Sequence, residues 1–173
     1  MPPPADAIQK KVCMVGSYSV GKTSLVRRYV ESIFSDHYLT NIGVKIDKKL
    51  VKVDGRTVNL VLWDLAGEDE ISQMRPSHLR GASGYILVVD GCRGITLEKA
   101  LQLRQRIQEL LGDIPFVAAL NKIDLLPEWE VSESSIENLR QQNWRCFLTS
   151  AKTGQTVENL FTALATEMLA CQK

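Results

Sequence analysis

The sequence has few features that would indicate a metal centre, a membrane span or a nucleic-acid-binding surface. Its four cysteines lie far apart without a C-x-x-C pair, and its two histidines are not at zinc-ligand spacing. No apolar run approaches the roughly 20 residues that span a bilayer. The net charge of +1, from 21 basic and 20 acidic residues, gives no overall attraction to nucleic acid or to an anionic membrane. Specificity is therefore expected from a local site.

Targeting signals are also missing. Pro2 stands where N-myristoylation needs glycine, only two residues follow Cys171, and no signal peptide is present. We therefore expect a cytoplasmic protein without a direct lipid anchor, which reaches membranes through partners. The Pro-rich segment 1–10 is expected to be flexible, and residues 11–171 are expected to form a single domain.

Short apolar runs rich in β-branched residues alternate with helical patterns along the rest of the chain, in which 45% of residues are apolar. This alternation predicts an α/β fold, a three-layer sandwich with a six-stranded sheet and about five helices. Asp54-Gly55 separates two strand-like runs, as in a tight hairpin, so the sheet is expected to be mixed but mostly parallel. Ligands of such sheets bind beyond the carboxyl ends of the strands.

A phosphate-binding sequence, "GSYSVGKTS", spans Gly16 to Ser24 between the first predicted strand and the first predicted helix. Its glycines allow successive backbone N–H groups to point at an anion, at the N-terminus of a helix. Lys22 would reach the outer phosphates, and the Thr23 hydroxyl would bind Mg²⁺. This loop is expected to contact phosphate through a consecutive run of residues: Ser17, Tyr18, Ser19, Val20, Gly21, Lys22, Thr23 and Ser24.

Two further segments supply complementary chemistry. Asp64 ends a β-rich run in "LWDLAGEDE" and could hold Mg²⁺ through water, while Gly67 could offer its N–H to a terminal phosphate. In "NKID", the Asp124 carboxylate can accept the N1 and 2-amino hydrogens of guanine, which adenine does not present at those positions. The base is therefore expected to be guanine.

The residues around Asp124 complete the predicted base site. Asn121 would brace the loop, and the Lys122 side chain would lie along the base. In "TSAK", after the last predicted strand, the Ala151 N–H would meet the guanine oxygen, with Ser150 and Lys152 beside it.

Taken in order, these motifs resemble the Ras superfamily of small GTPases, and in particular its Rab-like branch, from about residue 11 to residue 170. The resemblance includes "TSLVRRYV", "NIGVKI", "WDLAG", "NKID" and "TSAK". It implies the P-loop NTPase fold and a molecular switch that binds GTP or GDP with Mg²⁺. It also implies switch segments at 34–43 and 66–74 that bind effector, exchange-factor and activating proteins, and it places Phe34 against the guanine.

Three residues depart from the family pattern. The family's switch threonine, a Mg²⁺ ligand, aligns with Asn41; either the Asn41 carbonyl oxygen replaces it or the loop shifts by one residue and Thr40 takes the role. Glu68 replaces the family's water-orienting glutamine; an ionised carboxylate cannot donate a hydrogen bond and is repelled by the γ-phosphate. Slow hydrolysis is therefore expected, although Glu68 could instead act as a general base.

Tyr18 is the third departure, because the family has small residues at this part of the loop. Its phenol could cap the γ-phosphate, or it could lie outward and block an arginine inserted by an activating protein. In both cases nucleotide binding should be retained better than catalysis, with Lys22, Gly67, Glu68 and Tyr18 as the residues nearest the reaction. The alternative function is a nucleotide-bound pseudo-GTPase that serves as a constitutive adaptor.

Overall fold

The computed structural model describes residues 2–30, 36–39, 44–65 and 71–171, with the backbone alone described for 36–39 and for Ile71. Within these ranges the chain forms seven strands and five α-helices. In chain order they are β1 (Ile8–Gly16), α1 (Lys22–Val30), β2 (Asp36–Leu39), β3 (Lys45–Val53), β4 (Arg56–Asp64), α2 (Pro76–Leu79), β5 (Gly84–Asp90), α3 (Ile95–Leu111), β6 (Phe116–Asn121), α4 (Glu133–Gln141), β7 (Cys146–Thr149) and α5 (Val157–Ala170).

The strands form one mixed sheet in the order β2-β3-β4-β1-β5-β6-β7. β4, β1, β5, β6 and β7 are mutually parallel, and β3 runs antiparallel to both β4 and β2. All six predicted strands are present, together with the short strand β2, which the sequence pattern did not predict. β1 begins at Ile8, three residues before its predicted start, so residues 8–10 pair with β4 in the sheet and the expectation of a flexible segment 1–10 is wrong for them.

The hairpin between β3 and β4 turns at Asp54 and Gly55, both in the left-handed region with φ of 50° and 75°. Two consecutive positive φ values are what a two-residue hairpin turn of the favoured twist requires. The Asp-Gly pair satisfies this requirement at low cost, because glycine has no Cβ and aspartate tolerates this conformation. The predicted hairpin is confirmed.

Alternate residues of β1 pack on opposite faces of the sheet, as the period of two along a strand requires. Val12 and Met14 belong to the core beneath α1 and α5, whereas Cys13 and Val15 belong to the core beneath α2, α3 and α4. The sheet is thus covered on both sides, and the predicted three-layer sandwich is confirmed. No helix in the described part of the chain combines the length and apolar composition needed to cross a bilayer.

Candidate functional site

The carboxyl ends of the central parallel strands meet at one edge of the sheet. Asp64, the last residue of β4, lies opposite Met14 of β1. Asp90, the last residue of β5, lies opposite Asn121 of β6, which in turn lies opposite Thr149 of β7. Polar side chains that are far apart in sequence are therefore brought together at the edge where parallel α/β sheets bind ligands.

Two glycines define the loop that joins β1 to α1. Gly21 has φ of +107°, and a Cβ added there would overlap the side-chain amide of Asn121. A Cβ on Gly16, with φ of +153°, would lie 2.5 Å from the carbonyl oxygen of Val88 in β5. A larger residue at either position would have to displace β5 or the Asn121 side chain. The motif's two glycines are therefore required by close packing as well as by backbone conformation.

The ammonium of Lys22, the first residue of α1, is buried with the side chain folded back on the loop. Nζ donates to the carbonyl oxygens of Gly16 at 2.5 Å and Ser17 at 3.0 Å. Lys22 is only 4% exposed, so this charge acts in a medium where water screens it poorly. A positive charge is thereby held inside the loop itself.

Near the Lys22 ammonium, the side chains of Thr23 and Asp64 place two oxygen atoms close together. The Thr23 hydroxyl donates to Asp64 Oδ2 at 2.5 Å. Asp64 is 3% exposed, and among the described residues its buried Oδ1 has no hydrogen-bond partner. Burial raises the pKa of the Asp64 carboxyl, and the hydrogen bond from Thr23 and the charge of Lys22 only partly oppose this shift.

This donor set fits Mg²⁺, a hard cation that prefers oxygen ligands. A bound divalent cation would give the orphaned Asp64 oxygen a partner and stabilise the ionised carboxylate. No group of three or more His, Cys, Asp or Glu side chains gathers as a metal cage in the described ranges. Mg²⁺ commonly binds one or two carboxylates together with substrate phosphates, so a fuller cage is not needed.

A cavity of about 450 Å³ lies next to the loop. Seven residues of the predicted nucleotide site line it: Gly21, Ser24, Asn121, Lys122, Asp124, Ala151 and Lys152. Of the other loop residues, Val20 is fully buried and Ser17 is nearly so. The phosphate loop (16–24) and the two base segments (121–124 and 149–152) therefore surround one space.

Asn121 joins three segments of this site and is itself buried. Its Nδ2 donates to the carbonyl oxygen of Val20 in the phosphate loop at 3.0 Å. Its Oδ1 accepts from the Thr149 hydroxyl at 3.1 Å and from the Ala151 N–H at 3.2 Å. The side chain thus ties the phosphate loop to both base segments, which is the bracing geometry expected from the sequence.

Asp124 is exposed and oriented by a neighbour from the other base segment. The Ser150 hydroxyl donates to Asp124 Oδ1 at 2.7 Å. Lys122 has a left-handed backbone with φ of 74°, and its carbonyl oxygen accepts from Trp129 Nε1 at 3.0 Å. Trp129 therefore helps to hold a conformation that a non-glycine residue adopts at a cost.

The Tyr18 side chain is 72% exposed, an outward position like one of the two orientations considered from the sequence. Ser19, next to it, has φ of +59°. Five other predicted site residues fall outside the described ranges: Phe34, Thr40, Asn41, Gly67 and Glu68. The choice between Thr40 and Asn41 as a Mg²⁺ ligand thus stays open, as does the role of Glu68.

Sequence reasoning missed three polar residues at this edge. Arg28 donates from Nε to the Ala151 carbonyl oxygen at 2.8 Å and from Nη2 to that of Lys152. Asp90 and Arg93 form a second network beside Tyr18. A carboxylate at the end of β5 is a signal that could have pointed to Asp90. Arg28 lies within "TSLVRRYV" and Arg93 in the loop before α3, but nothing in the sequence around either residue indicates its contact.

The order of these segments along the chain and their meeting at one sheet edge agree with the comparison to protein families. The sequence pattern of the Ras family matches residues 11–170. The chain belongs to the Ras family. Curated relatives cover most of its length, and they include Rab proteins from animals and from a protozoan parasite.

Mouse Ras-related protein Rab-21 is 34% identical over 161 residues, covering 92% of this chain and 72% of the relative. Dog Ras-related protein Rab-13 is 33% identical over 168 residues, covering 92% and 79%. Ras-related protein Rab-1 of Theileria parva is 30% identical over 158 residues, covering 90% and 72%. This Ras-family chain is therefore a Rab-like small GTPase.

As a Ras-family member, the chain binds GTP and GDP with Mg²⁺, hydrolyses GTP and acts as a molecular switch that regulators and effectors recognise. The predicted family, fold, activity and cofactors are confirmed. Family membership does not favour the alternative of a constitutive adaptor without switching.

Proposed function

We propose that this Ras-family GTPase hydrolyses GTP slowly without assistance, and that the described edge of the sheet holds the nucleotide. The observation that carries the proposal is the convergence of three groups around one space. These are the buried Lys22 cation, the Thr23–Asp64 oxygen pair and the base segments containing Asn121 and Asp124.

In this proposal the phosphate end of the site is built by the loop and α1. Lys22 and the loop N–H groups bind the β- and γ-phosphates, and the Thr23 hydroxyl and Asp64 hold Mg²⁺. When bound, the cation neutralises charge on the phosphate oxygens. Lys22 loses few water contacts on binding because it is already buried, so little reorganisation is needed when charge develops.

The guanine end is built by the two base segments. The Asp124 carboxylate accepts from guanine N1 and the 2-amino group, with one of its oxygens oriented by Ser150. Lys122 lies along the base, and the Ala151 N–H, which donates to Asn121 Oδ1 at 3.2 Å, would be shared with the guanine oxygen. Asn121 keeps these groups in register with the phosphate loop. Such a site excludes adenine because the donors and acceptors of the site would then be left unpaired.

Slow hydrolysis follows from Glu68, which replaces the water-orienting glutamine of the family. An ionised carboxylate can accept a hydrogen bond from the attacking water but cannot donate one to the phosphoryl oxygens. Its charge also raises the free energy of approach to the γ-phosphate. Tyr18 adds bulk where the family has small residues, which hinders an arginine supplied in trans.

Single-turnover hydrolysis tests this proposal. The reaction is started by adding Mg²⁺ to protein loaded with GTP, and the release of inorganic phosphate is measured for the parent chain and for Glu68→Gln. We expect the parent rate to be below roughly 10⁻⁴ s⁻¹ and Glu68→Gln to be severalfold faster. Glu137→Gln, the same change at an exposed position of α4, is the control and should hydrolyse at the parent rate. A Glu68→Gln variant no faster than the parent would contradict the assigned role of Glu68.

We further infer that residues 11–171, together with the first residues of β1 from Ile8, form one domain, and that partners bind through the switch segments 34–43 and 66–74. The central position of β1, between β4 and β5, supports a single domain because strands from distant parts of the chain interleave. The four cysteines, all within the described ranges, form no disulfide, as is usual in a reducing compartment. We propose a cytoplasmic location, with membranes reached through partner proteins.

A further inference from the structure

A buried carboxylate beside the nucleotide site joins Lys122 of the base segment to a second cation, Arg93, which neither the base motif nor the phosphate motif explains. Asp90, the last residue of β5, has a side chain that is 2% exposed. Its Oδ2 accepts from Arg93 Nε at 2.9 Å and from Lys122 Nζ at 2.8 Å. Its Oδ1 accepts from the backbone N–H of Cys92 at 2.9 Å. Both oxygens of this carboxylate are therefore used.

The two cations held by Asp90 extend to neighbouring carbonyl groups of the phosphate loop. Arg93 Nη2 donates to the Tyr18 carbonyl oxygen at 2.6 Å, across 75 positions of sequence. Lys122 Nζ donates to the Ser19 carbonyl oxygen at 3.1 Å. The contacts therefore fall on consecutive peptide groups at the outer turn of the loop.

The outer turn is the part of the loop that most needs such support. Ser19 has φ of +59°, a left-handed conformation that costs a non-glycine residue roughly 1–2 kcal/mol. The Tyr18 side chain is 72% exposed and so contributes little packing. The conformation of this turn is thus maintained by polar contacts from outside the loop, and Arg93 and Lys122 make two of them.

We propose that Arg93 is a positioning residue. Asp90 fixes its guanidinium, which in turn holds the outer turn of the phosphate loop in its nucleotide-binding conformation. The inference deepens the proposed function and rests on it. Lys122 already belongs to the base segment, so Asp90 links base and phosphate contacts in one network. Loss of the Arg93 side chain is expected to make the phosphate loop more mobile and to leave the base segment in place.

The side-chain chemistry explains why an arginine suits this place. Arg93 uses two different nitrogens of its planar guanidinium, one for Asp90 and one for the Tyr18 carbonyl oxygen. A lysine at this position would have to reach both oxygens from a single nitrogen on a flexible stem, whereas the guanidinium reaches them from two fixed points. Arg93→Lys should therefore retain part of the effect, and Arg93→Ala should lose all of it.

The first test is the release of a fluorescent GDP into excess unlabelled GDP, with Mg²⁺ present. A hydrogen bond to a charged group typically contributes more than a neutral one. Because Arg93 is 40% exposed, we expect about threefold to tenfold faster release from Arg93→Ala. Arg93→Lys should lie between this variant and the parent.

Arg106→Ala is the matched control. Arg106 lies on α3, its side chain is 43% exposed, and it pairs with Glu109 at 3.4 Å. Its removal takes away the same charge from a side chain of similar exposure, at a position with no contact to the phosphate loop among those described. It should release GDP at the parent rate.

The second readout separates positioning from general destabilisation. GMP lacks the β-phosphate, so competition by GMP and GDP measures how much affinity the phosphate loop adds. Arg93→Ala should lower the ratio of GDP affinity to GMP affinity below that of the parent and of Arg106→Ala, whereas a loss of stability alone would lower both affinities in proportion. An equal loss for both nucleotides would overturn the proposal, as would an unchanged release rate.

Two further outcomes have defined meanings. If Arg93→Ala does not fold, Arg93→Met, which keeps the apolar stem, decides by the same two readouts. If the parent chain itself binds no GDP, the proposed nucleotide site fails. A parent that binds GDP, together with an Arg93→Ala variant that behaves like it, refutes only the role of Arg93.

Discussion

Asn121→Ala is the substitution that most directly tests how the site is held together. The side chain makes three hydrogen bonds, one to the phosphate loop, one to the Thr149 hydroxyl and one to the Ala151 N–H. Asn121 is 2% exposed and Thr149 is fully buried. Water therefore cannot readily replace the lost partners, and each group left unsatisfied carries its own cost.

The magnitude follows from these contacts. A hydrogen bond typically contributes about 0.5–1.5 kcal/mol to stability, so removing three should lower the free energy of unfolding by about 3 kcal/mol. Thr149→Val removes one of the three and should cost about 1 kcal/mol. Asn121→Asp keeps the two accepting contacts but loses the donor to Val20, and it buries a negative charge near that carbonyl oxygen. It should be at least as destabilising as Asn121→Ala near pH 7.

Urea unfolding of the nucleotide-free proteins, prepared with EDTA, measures these differences without the stabilisation that bound nucleotide adds by mass action. Asn138→Ala, at an exposed position of α4, is the control and should change stability by less than about 0.5 kcal/mol. If Asn121→Ala cost no more than Thr149→Val, the inferred triple contact would be refuted.

Two other predictions concern the same edge of the sheet. Gly16→Ala should lose nucleotide binding and unfold more easily than Gly55→Ala, because its Cβ would lie 2.5 Å from the Val88 carbonyl oxygen, whereas a Cβ added at Gly55 would have no atom of the described tertiary structure within 4 Å; equal melting temperatures would contradict this. Burial alone would raise the pKa of Asp90, but hydrogen bonds from Lys122, Arg93 and the Cys92 N–H outweigh it and leave the pKa below its usual value. The ionised form therefore stabilises the fold above the ordinary carboxyl pKa of about 3.9, and this contribution is lost as pH falls through the lower folded pKa. The stability difference between the parent and Asp90→Asn, followed by urea unfolding from pH 7 to pH 3, should shrink at the acid end; a constant difference would contradict it.

The architecture was predictable because several local signals agreed. Strand-like runs, helical periodicity and the Asp54-Gly55 turn each indicated the element that forms. β2 was not predictable in the same way, because its four residues, "DHYL", are too few and too polar to show a pattern. Its pairing with β3 is a tertiary effect.

The phosphate and base motifs were predictable because their residues are close in sequence and their chemistry is specific. The roles of Arg28 and Arg93 were not, because each contacts backbone carbonyl groups of a segment 75 or more positions away. Any arginine brought to that place could make such a contact, so sequence alone gives no signal. Thr40, Asn41 and Glu68 lie outside the described residues, and their roles stay predictions.

The most direct test of the account is equilibrium binding of GDP, ADP and xanthosine diphosphate to the parent chain and to Asp124→Asn. The parent should prefer GDP to ADP by a factor on the order of 10³ or more. Asp124→Asn should shift the preference toward the xanthine nucleotide, whose 2-oxo group can accept from an amide. Binding of ADP within tenfold of GDP, or no shift in the variant, would contradict the assignment of Asp124 and of the guanine site.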